Sequence, residues 1–186
     1  MFPAILDVSG LKTAVVGTGP AAALRVRLLD EAGAGALRLF SPDPDQTFIA
    51  AAGGRLEHRL PEEREIAAQH IVFTAGLIDA DARRIAGWAR EHGTLVNTED
   101  VRPLCDFHVP SMVRRGDLLL TISTGGKSPG LARRLRHELE QRFGPEWADH
   151  LEELADARNG WRSEGVPLKE LARRTSALIA RKGWLS

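Results

Sequence analysis

Residues 15–34, "VVGTGPAAALRVRLLDEAGA", decide how the rest of this 186-residue chain is read. An apolar run ends in Gly17, Gly19 follows after one residue, Ala22 stands three further on, and Leu24, Leu28 and Ala32 recur at helical spacing. The order is strand, tight turn, helix. Glycine at the first two positions lets the backbone bend sharply and come close to a pyrophosphate, and a small third residue lets helix pack on strand. The helix N-terminus adds N–H groups and the positive end of a dipole. Gly17, Thr18, Gly19, Pro20, Ala21 and Ala22 are therefore the candidate dinucleotide-binding turn; a glycine turn that merely packs is the alternative. An acidic residue to hold a ribose is expected about twenty positions on. Strand two instead ends "LFSPD", with Phe40 and Ser41 at that place and Asp43 slightly late, so Ser41, Pro42 and Asp43 are the candidates for this contact.

Outward from this stretch, short apolar runs alternate with helical patterns, as in βαβ units that build a parallel sheet. "KTAVVG" is strand one, residues 21–32 the helix after it and "ALRLF" strand two. "RLEHRL", "HIVFTA" and "GTLVN" are the later strands, with a helix over residues 79–92 carrying Ile85, Trp88 and Ala89. Thr74, Ala75 and Gly76 close strand four and are further cofactor-binding candidates. Beyond Pro110 the pattern changes. "DLLLTIS" is one more apolar strand, residues 129–143 form a helix with Leu131, Leu135, Leu139 and Phe143 at four-residue spacing, and helices are expected over 147–157 and 168–181, with joints at Gly144-Pro145 and "NGWRSEGVP". The expected division is 1–110, a doubly wound parallel α/β domain, then 111–143 as a dimerisation and active-site segment and 144–186 as a small helical region.

The chain is 43% apolar and 27% charged with zero net charge, so bulk attraction to nucleic acid is not indicated. No apolar stretch approaches the length of a membrane span, and "MFPAILDVSG" lacks a basic region followed by an apolar core, which places the protein in the cytoplasm. Cys105 is the single cysteine and no Cys/His pair has zinc spacing, so neither an intrachain disulfide nor a structural metal is expected. Charge is segregated locally: residues 125–142 carry Lys127, Arg133, Arg134, Arg136 and Arg142 against Glu138 and Glu140, while 145–160 is acidic.

The second informative stretch runs from "NTED" at 97–100 through "LCDF" at 104–107 and a proline to "ISTGGKSPGLARRLRHELE" at 122–140. Asp100 follows a strand, at the end where open α/β sheets bind ligands; it is a candidate proton acceptor or a turn acid. In "STGGKSPG" the two glycines permit a tight turn, Ser128 can cap the helix that Pro129 opens, and the N–H groups there make an anion-holding end. Arg133, Arg134 and Arg136 are either anion contacts or a solvated basic face. His108 is a proton carrier, a metal ligand or a structural histidine.

Together with "FPAILDVSGLKTAVVGTG" and "LLDEAGA", these motifs make the chain resemble the precorrin-2 dehydrogenase and sirohydrochlorin ferrochelatase family, the N-terminal module of siroheme synthases, over residues 2–140. The resemblance implies a Rossmann-like fold and NAD-dependent oxidation of precorrin-2 to sirohydrochlorin, in some members with ferrous iron as a further substrate inserted into the product. It also implies a homodimer of three-part subunits. The family's key aspartate matches Asp100. Its polycarboxylate tetrapyrrole would be held by Thr124, Gly125, Gly126, Lys127, Ser128, Arg133 and His108, and Thr124 stands where some members carry a serine reported as phosphorylated. This chain departs from the family at "GPAAALRVR", where Leu24 replaces a basic residue while Arg25 and Arg27 are kept, and at "TAGLIDAD", where Gly76, Leu77 and Ile78 replace polar residues. Both departures touch the dinucleotide contacts. A ferrochelatase without redox activity and a non-catalytic dinucleotide or tetrapyrrole carrier are therefore the alternatives, since fold does not fix function.

Overall fold

The computed structural model describes residues 2–185, which divide between His108 and Val109 into two compact units. The first holds a five-stranded sheet of order β3-β2-β1-β4-β5 with every pairing parallel. Its elements are β1 (Lys12–Gly17), α1 (Gly19–Glu31), β2 (Ala36–Phe40), α2 (Gln46–Ala52), β3 (Leu56–Glu57), α3 (Glu63–Ala67), β4 (Ile71–Ala75), α4 (Asp79–Glu91) and β5 (Leu95–Thr98). This is the doubly wound architecture expected from the alternation. The central strands β1 and β4 are buried along almost their whole length, as parallel strands covered on both faces must be. Ala14, Val16, Phe40, Val72, Ile85, Ala89 and Val96 form the core between sheet and helices. The register sets Val16 beside Phe40 on one side and Thr74 on the other, so the C-terminal ends of β1, β2 and β4 lie level.

Three expectations are corrected in this unit. The third strand is two residues long rather than six, because it is the sheet's edge and because Glu57 and Arg59 turn into an ion-pair cluster with Arg38 and Glu65. Arg38 and Arg59 also lie 4.6 and 5.3 Å from the centroid of the Phe40 ring. Helices α2 and α3 stand where none was expected. Both are short and owe their place to caps: Asp45 accepts a hydrogen bond from the Phe48 N–H at 2.9 Å, and Glu62 with Glu65 forms a capping box. Finally, α1 begins at Gly19, two residues early, inside the glycine turn itself.

The second unit comprises β6 (Ser111–Arg115), β7 (Leu118–Ile122), α5 (Pro129–Arg142), α6 (Trp147–Ser163) and α7 (Leu168–Lys182). β6 was not legible, since "SMVRR" carries no apolar alternation; it pairs antiparallel with β7, Val113 opposite Leu120, across the turn at Gly116. α6 runs through Asn159 and Gly160, read as a joint, and stops at Gly165. A single helical glycine costs only about 1 kcal/mol. The stop is made by Gly165 at φ +76° and by the Val166 N–H bonding back to Trp161 O at 3.0 Å, a Schellman closure. Phe143, Trp147, His150 and Trp184 form an aromatic row, with His150 stacked on Trp184 at 4.1 Å. Among the described residues, no helix is long and apolar enough to cross a membrane, and no group of three His, Cys, Asp or Glu side chains is placed to hold a metal.

Candidate functional site

The glycine turn is fixed by backbone meeting backbone. Thr18 N–H donates to Ala75 O at 3.0 Å, tying the end of β1 to the end of β4. A Cβ on Gly17 would stand 1.8 Å from that same Ala75 O, and one on Gly76 (φ +68°) would stand 2.5 Å from Thr18 O. Only glycine permits this double approach. At Gly19 (φ +80°) an added Cβ meets nothing within 4 Å, so the space above the turn is open. A pyrophosphate requires that combination, a tight turn beside the start of α1 with free space over it. Gly76, counted as a departure from the family, is thus built into the turn's support.

The acidic group at the turn is Asp45. Its Oδ1 accepts from the Gly19 N–H at 3.0 Å, and its own N–H donates to Thr18 Oγ1 at 3.0 Å. Hydrogen bonds from the Phe48 and Gly19 amides hold the Asp45 carboxyl below the usual carboxylate range. Asp43 and Pro42 are exposed on the preceding loop and Ser41 is fully buried. Within α1, Ala21 is half-buried, Ala22 is buried and Pro20 is exposed in the first turn. Asp45 escaped the sequence reading because its role depends on β2 and α2 delivering it to the Gly19 amide; its cap spacing to Phe48 was the available signal.

A second region lies at the C-terminal ends of β4 and β5. A pocket of about 130 Å³ is lined by Thr74, Gly76, Leu77, Ala82, Thr98 and Glu99 among others. Its floor is polar: Thr74 Oγ1 donates to Thr98 Oγ1 at 2.9 Å, and both residues are buried. Glu99 Oε2 is buried there without a hydrogen-bond partner. Asp100 follows, exposed, at φ +58°, the one described non-glycine residue in the left-handed region. Asp tolerates that conformation better than most residues, and such backbone outliers gather at functional sites.

"LCDF" holds this strand end in place. Asp106 N–H donates to Val96 O at 2.8 Å and its Oδ2 accepts from Val96 N–H at 3.0 Å. Cys105 Sγ accepts from Thr98 N–H at 3.3 Å and donates to Thr98 O at 3.0 Å, and Asn97 Nδ2 donates to Phe107 O at 2.9 Å. Side chains and loop backbone thereby pair the outer edge of β5, which would otherwise be open. Phe107 packs edge-on against Phe73 at 5.4 Å, and His108 is exposed just beyond.

In the second unit, Thr124 closes the glycine loop on itself. Its Oγ1 accepts from Ser128 N–H at 3.3 Å and donates to Ser128 O at 3.2 Å, around Gly125 and Gly126 at φ +62° and +73°. Ser128 Oγ caps α5 by accepting from Leu131 N–H at 3.2 Å, as the Ser-Pro pattern predicts. Lys127 and Arg133 are exposed beside it. The cofactor candidates and Asp100 thus share the first unit's strand ends, while the remaining candidates except His108 belong to the second unit.

A family model described as "Putative NAD(P)-binding" matches residues 4–111, and one described as "Sirohaem biosynthesis protein central" matches 115–142. The siroheme synthase of Methylococcus capsulatus is 33% identical over 150 residues, covering 77% of this chain and 31% of that protein. The siroheme synthase of Nitrosococcus oceani is 34% identical over 142 residues, covering 75% and 30%. This chain therefore spans about a third of the length of these relatives. The solved structure of SirC, a precorrin-2 dehydrogenase, superposes with a TM-score of 0.79 at 21% identity, over all of this chain and 93% of that one, and shares its fold. The matched models span both units and the relatives cover three quarters of the sequence, so the chain belongs to the siroheme synthase family.

Proposed function

We propose that this chain binds NAD and oxidises precorrin-2 to sirohydrochlorin as a cytoplasmic homodimer. The carrying observation is the open glycine cradle of Gly17, Gly19 and Gly76 in the same unit as the strained, exposed Asp100. NAD supplies the hydride acceptor. The turn from Gly17 to Ala22 holds the pyrophosphate against the start of α1, and Thr74 to Gly76 border the nicotinamide half. Ser41, Pro42 and Asp43 lie at the end of β2 on the ribose side, while Asp45 braces the turn through the Gly19 amide. Asp100 would accept the proton that leaves the macrocycle as hydride departs, so the two hydrogens lost are accounted for as one hydride to NAD and one proton to the carboxylate.

The loop Thr124, Gly125, Gly126, Lys127 and Ser128, with Arg133 and His108, holds the substrate's carboxylate arms; charge-assisted hydrogen bonds from Lys and Arg are the strong ones for this purpose. The same Asp100 carboxylate can take pyrrole N–H protons as ferrous iron enters. The homodimer reading rests on the second unit. A two-stranded ribbon is marginal alone, and α5 has no fully buried residue while Leu131 and Leu135 stay 51% and 40% exposed. A twin subunit related by a two-fold axis would cover that face. Cys105, engaged as a reduced thiol at β5, fits a reducing compartment.

The test is an anaerobic assay with precorrin-2 and NAD, following tetrapyrrole absorbance and NADH together, with a second arm of sirohydrochlorin and Fe²⁺ without NAD. Equal appearance of sirohydrochlorin and NADH is expected. Metal insertion without any NADH in the first arm would leave a chelatase, and silence in both arms would leave a carrier.

A further inference from the structure

Resting on the NAD reading, we propose that Glu99 and Thr98 form a subsite for the primary carboxamide of the nicotinamide ring, with Glu99 as its recognition residue. Three features converge. Glu99 Oε2 is buried with no hydrogen-bond partner, although its backbone is anchored by Glu99 N–H to Thr74 O at 2.9 Å. A buried acceptor left unpaired is unfavourable, and an N–H donor from a ligand relieves it. Thr98 Oγ1 already accepts from Thr74, so its own proton is the one left to give. Asp79, the other carboxylate lining the pocket, already accepts from Arg83 Nε at 2.6 Å, so Glu99 is left as the strong acceptor and Thr98 Oγ1 as the hydroxyl donor. That is the complement of a carboxamide, whose NH₂ donates and whose carbonyl accepts.

Size and position agree with this ligand. At about 130 Å³ the pocket is well below the roughly 300–1,000 Å³ of sites that enclose drug-sized molecules, so it suits one small head group and not a macrocycle. Gly76 borders both the pocket and the glycine turn through its approach to Thr18. A dinucleotide laid along the strand ends would reach from one to the other. Asp100 is the next residue, which brings the proton acceptor to the same strand end as the ring. Leu77 and Ala82 supply the apolar wall for the ring's edge.

The experiment is calorimetric binding of NAD⁺, of 3-acetylpyridine adenine dinucleotide, which carries a methyl group in place of the amide NH₂, and of ADP-ribose, which lacks the ring. The proteins are the full chain, Glu99→Ala and Glu99→Gln. The wild type is expected to bind NAD⁺ about tenfold to a hundredfold more tightly than the acetylpyridine analogue, the usual range for a hydrogen bond to a charged group. Glu99→Ala should abolish this preference by weakening NAD⁺ alone, and Glu99→Gln should reduce it. ADP-ribose should bind all three equally, which also reports that the variants are folded. Equal wild-type affinity for NAD⁺ and the analogue, or an unchanged preference in Glu99→Ala, overturns the subsite while the NAD reading stands. If the wild type binds neither NAD⁺ nor ADP-ribose, both fall.

Discussion

The two sheets of this protein solve the burial problem in opposite ways. In the first unit, β1 and β4 are covered by helices of the same chain, Ala14, Val15, Val16 and Val72 have no solvent exposure, and even the outer edge of β5 is paired by Asp106 and Cys105. In the second unit, β6 and β7 are mostly half-buried, with Val113 alone buried, and α5 leaves its leucine stripe open. The first is complete by itself. The second leaves an apolar stripe of α5 in solvent, and the difference teaches that two sheets of one chain can differ in the apolar area their own helices leave uncovered.

The sharpest way to separate chemistry from scaffold in the first unit is Asp100→Asn. Asn also tolerates the left-handed backbone that Asp100 adopts at φ +58°, so the fold should survive. Loss of a general base typically lowers turnover about a hundredfold to ten-thousandfold, and kcat should fall by that much with NAD affinity little changed. Normal turnover in both oxidation and chelation would make Asp100 a structural acid.

The completeness of the first unit is broken most directly at Gly17. Gly17→Ala drives a methyl group to 1.8 Å from Ala75 O and should destabilise the unit by at least about 3 kcal/mol in urea unfolding. Gly19→Asp is its counterpart: the side chain meets open space, so the cost is only that of a left-handed Asp, roughly 1–2 kcal/mol. There, calorimetry should show dinucleotide binding lost from a folded protein, because a negative side chain fills the pyrophosphate's place.

The open face of the second unit is tested by Leu131→Glu with Leu135→Glu. Both leucines are already exposed, so little change in intrinsic stability is expected, while self-association measured by sedimentation should weaken about tenfold or more. A concentration-independent monomer in the wild type would contradict the dimer outright.

The smallest effect is acid sensitivity at the edge of the first sheet. Hydrogen bonds from Arg59, with further support from Arg38 and the Glu62 N–H, hold the Glu65 carboxyl well below the ordinary range. Unfolded, the same group titrates near 4.5. Its contribution is thus fully present above that pH and is lost as pH falls towards the folded value. The melting temperature should be flat from neutral pH down to about 5 and decline below. Glu65→Gln should lower the plateau and flatten the acid slope.

Much of the chain was legible where its signals are local. The Gly-x-Gly turn, the apolar runs of β1, β2 and β4 and the Ser128-Pro129 cap each lie within a few consecutive residues, where backbone freedom and side-chain periodicity act directly. The short helices α2 and α3 were hidden by length, since five to seven residues show too little periodicity, although Asp45 and the Glu62/Glu65 box carried their start signals. β6 was hidden by composition. At the site, Asp100 was reached through its motif, whereas Asp45 and Glu99 were not.

By itself the sequence determined the strand-turn-helix opening, the alternation that builds a parallel sheet and the break in pattern after Pro110, all set by conformational preference and periodicity over short spans. Only the tertiary structure decided that Gly76 is needed because Thr18, fifty-eight residues earlier, passes too close for a Cβ. It also decided that Asp45 and not Asp43 reaches the Gly19 amide, and that Glu99 carries a buried oxygen without a partner. These are contacts between distant segments. A residue's local preference carries no record of what the folded chain will place opposite it, so such roles exist only once the sheet has brought the strand ends together.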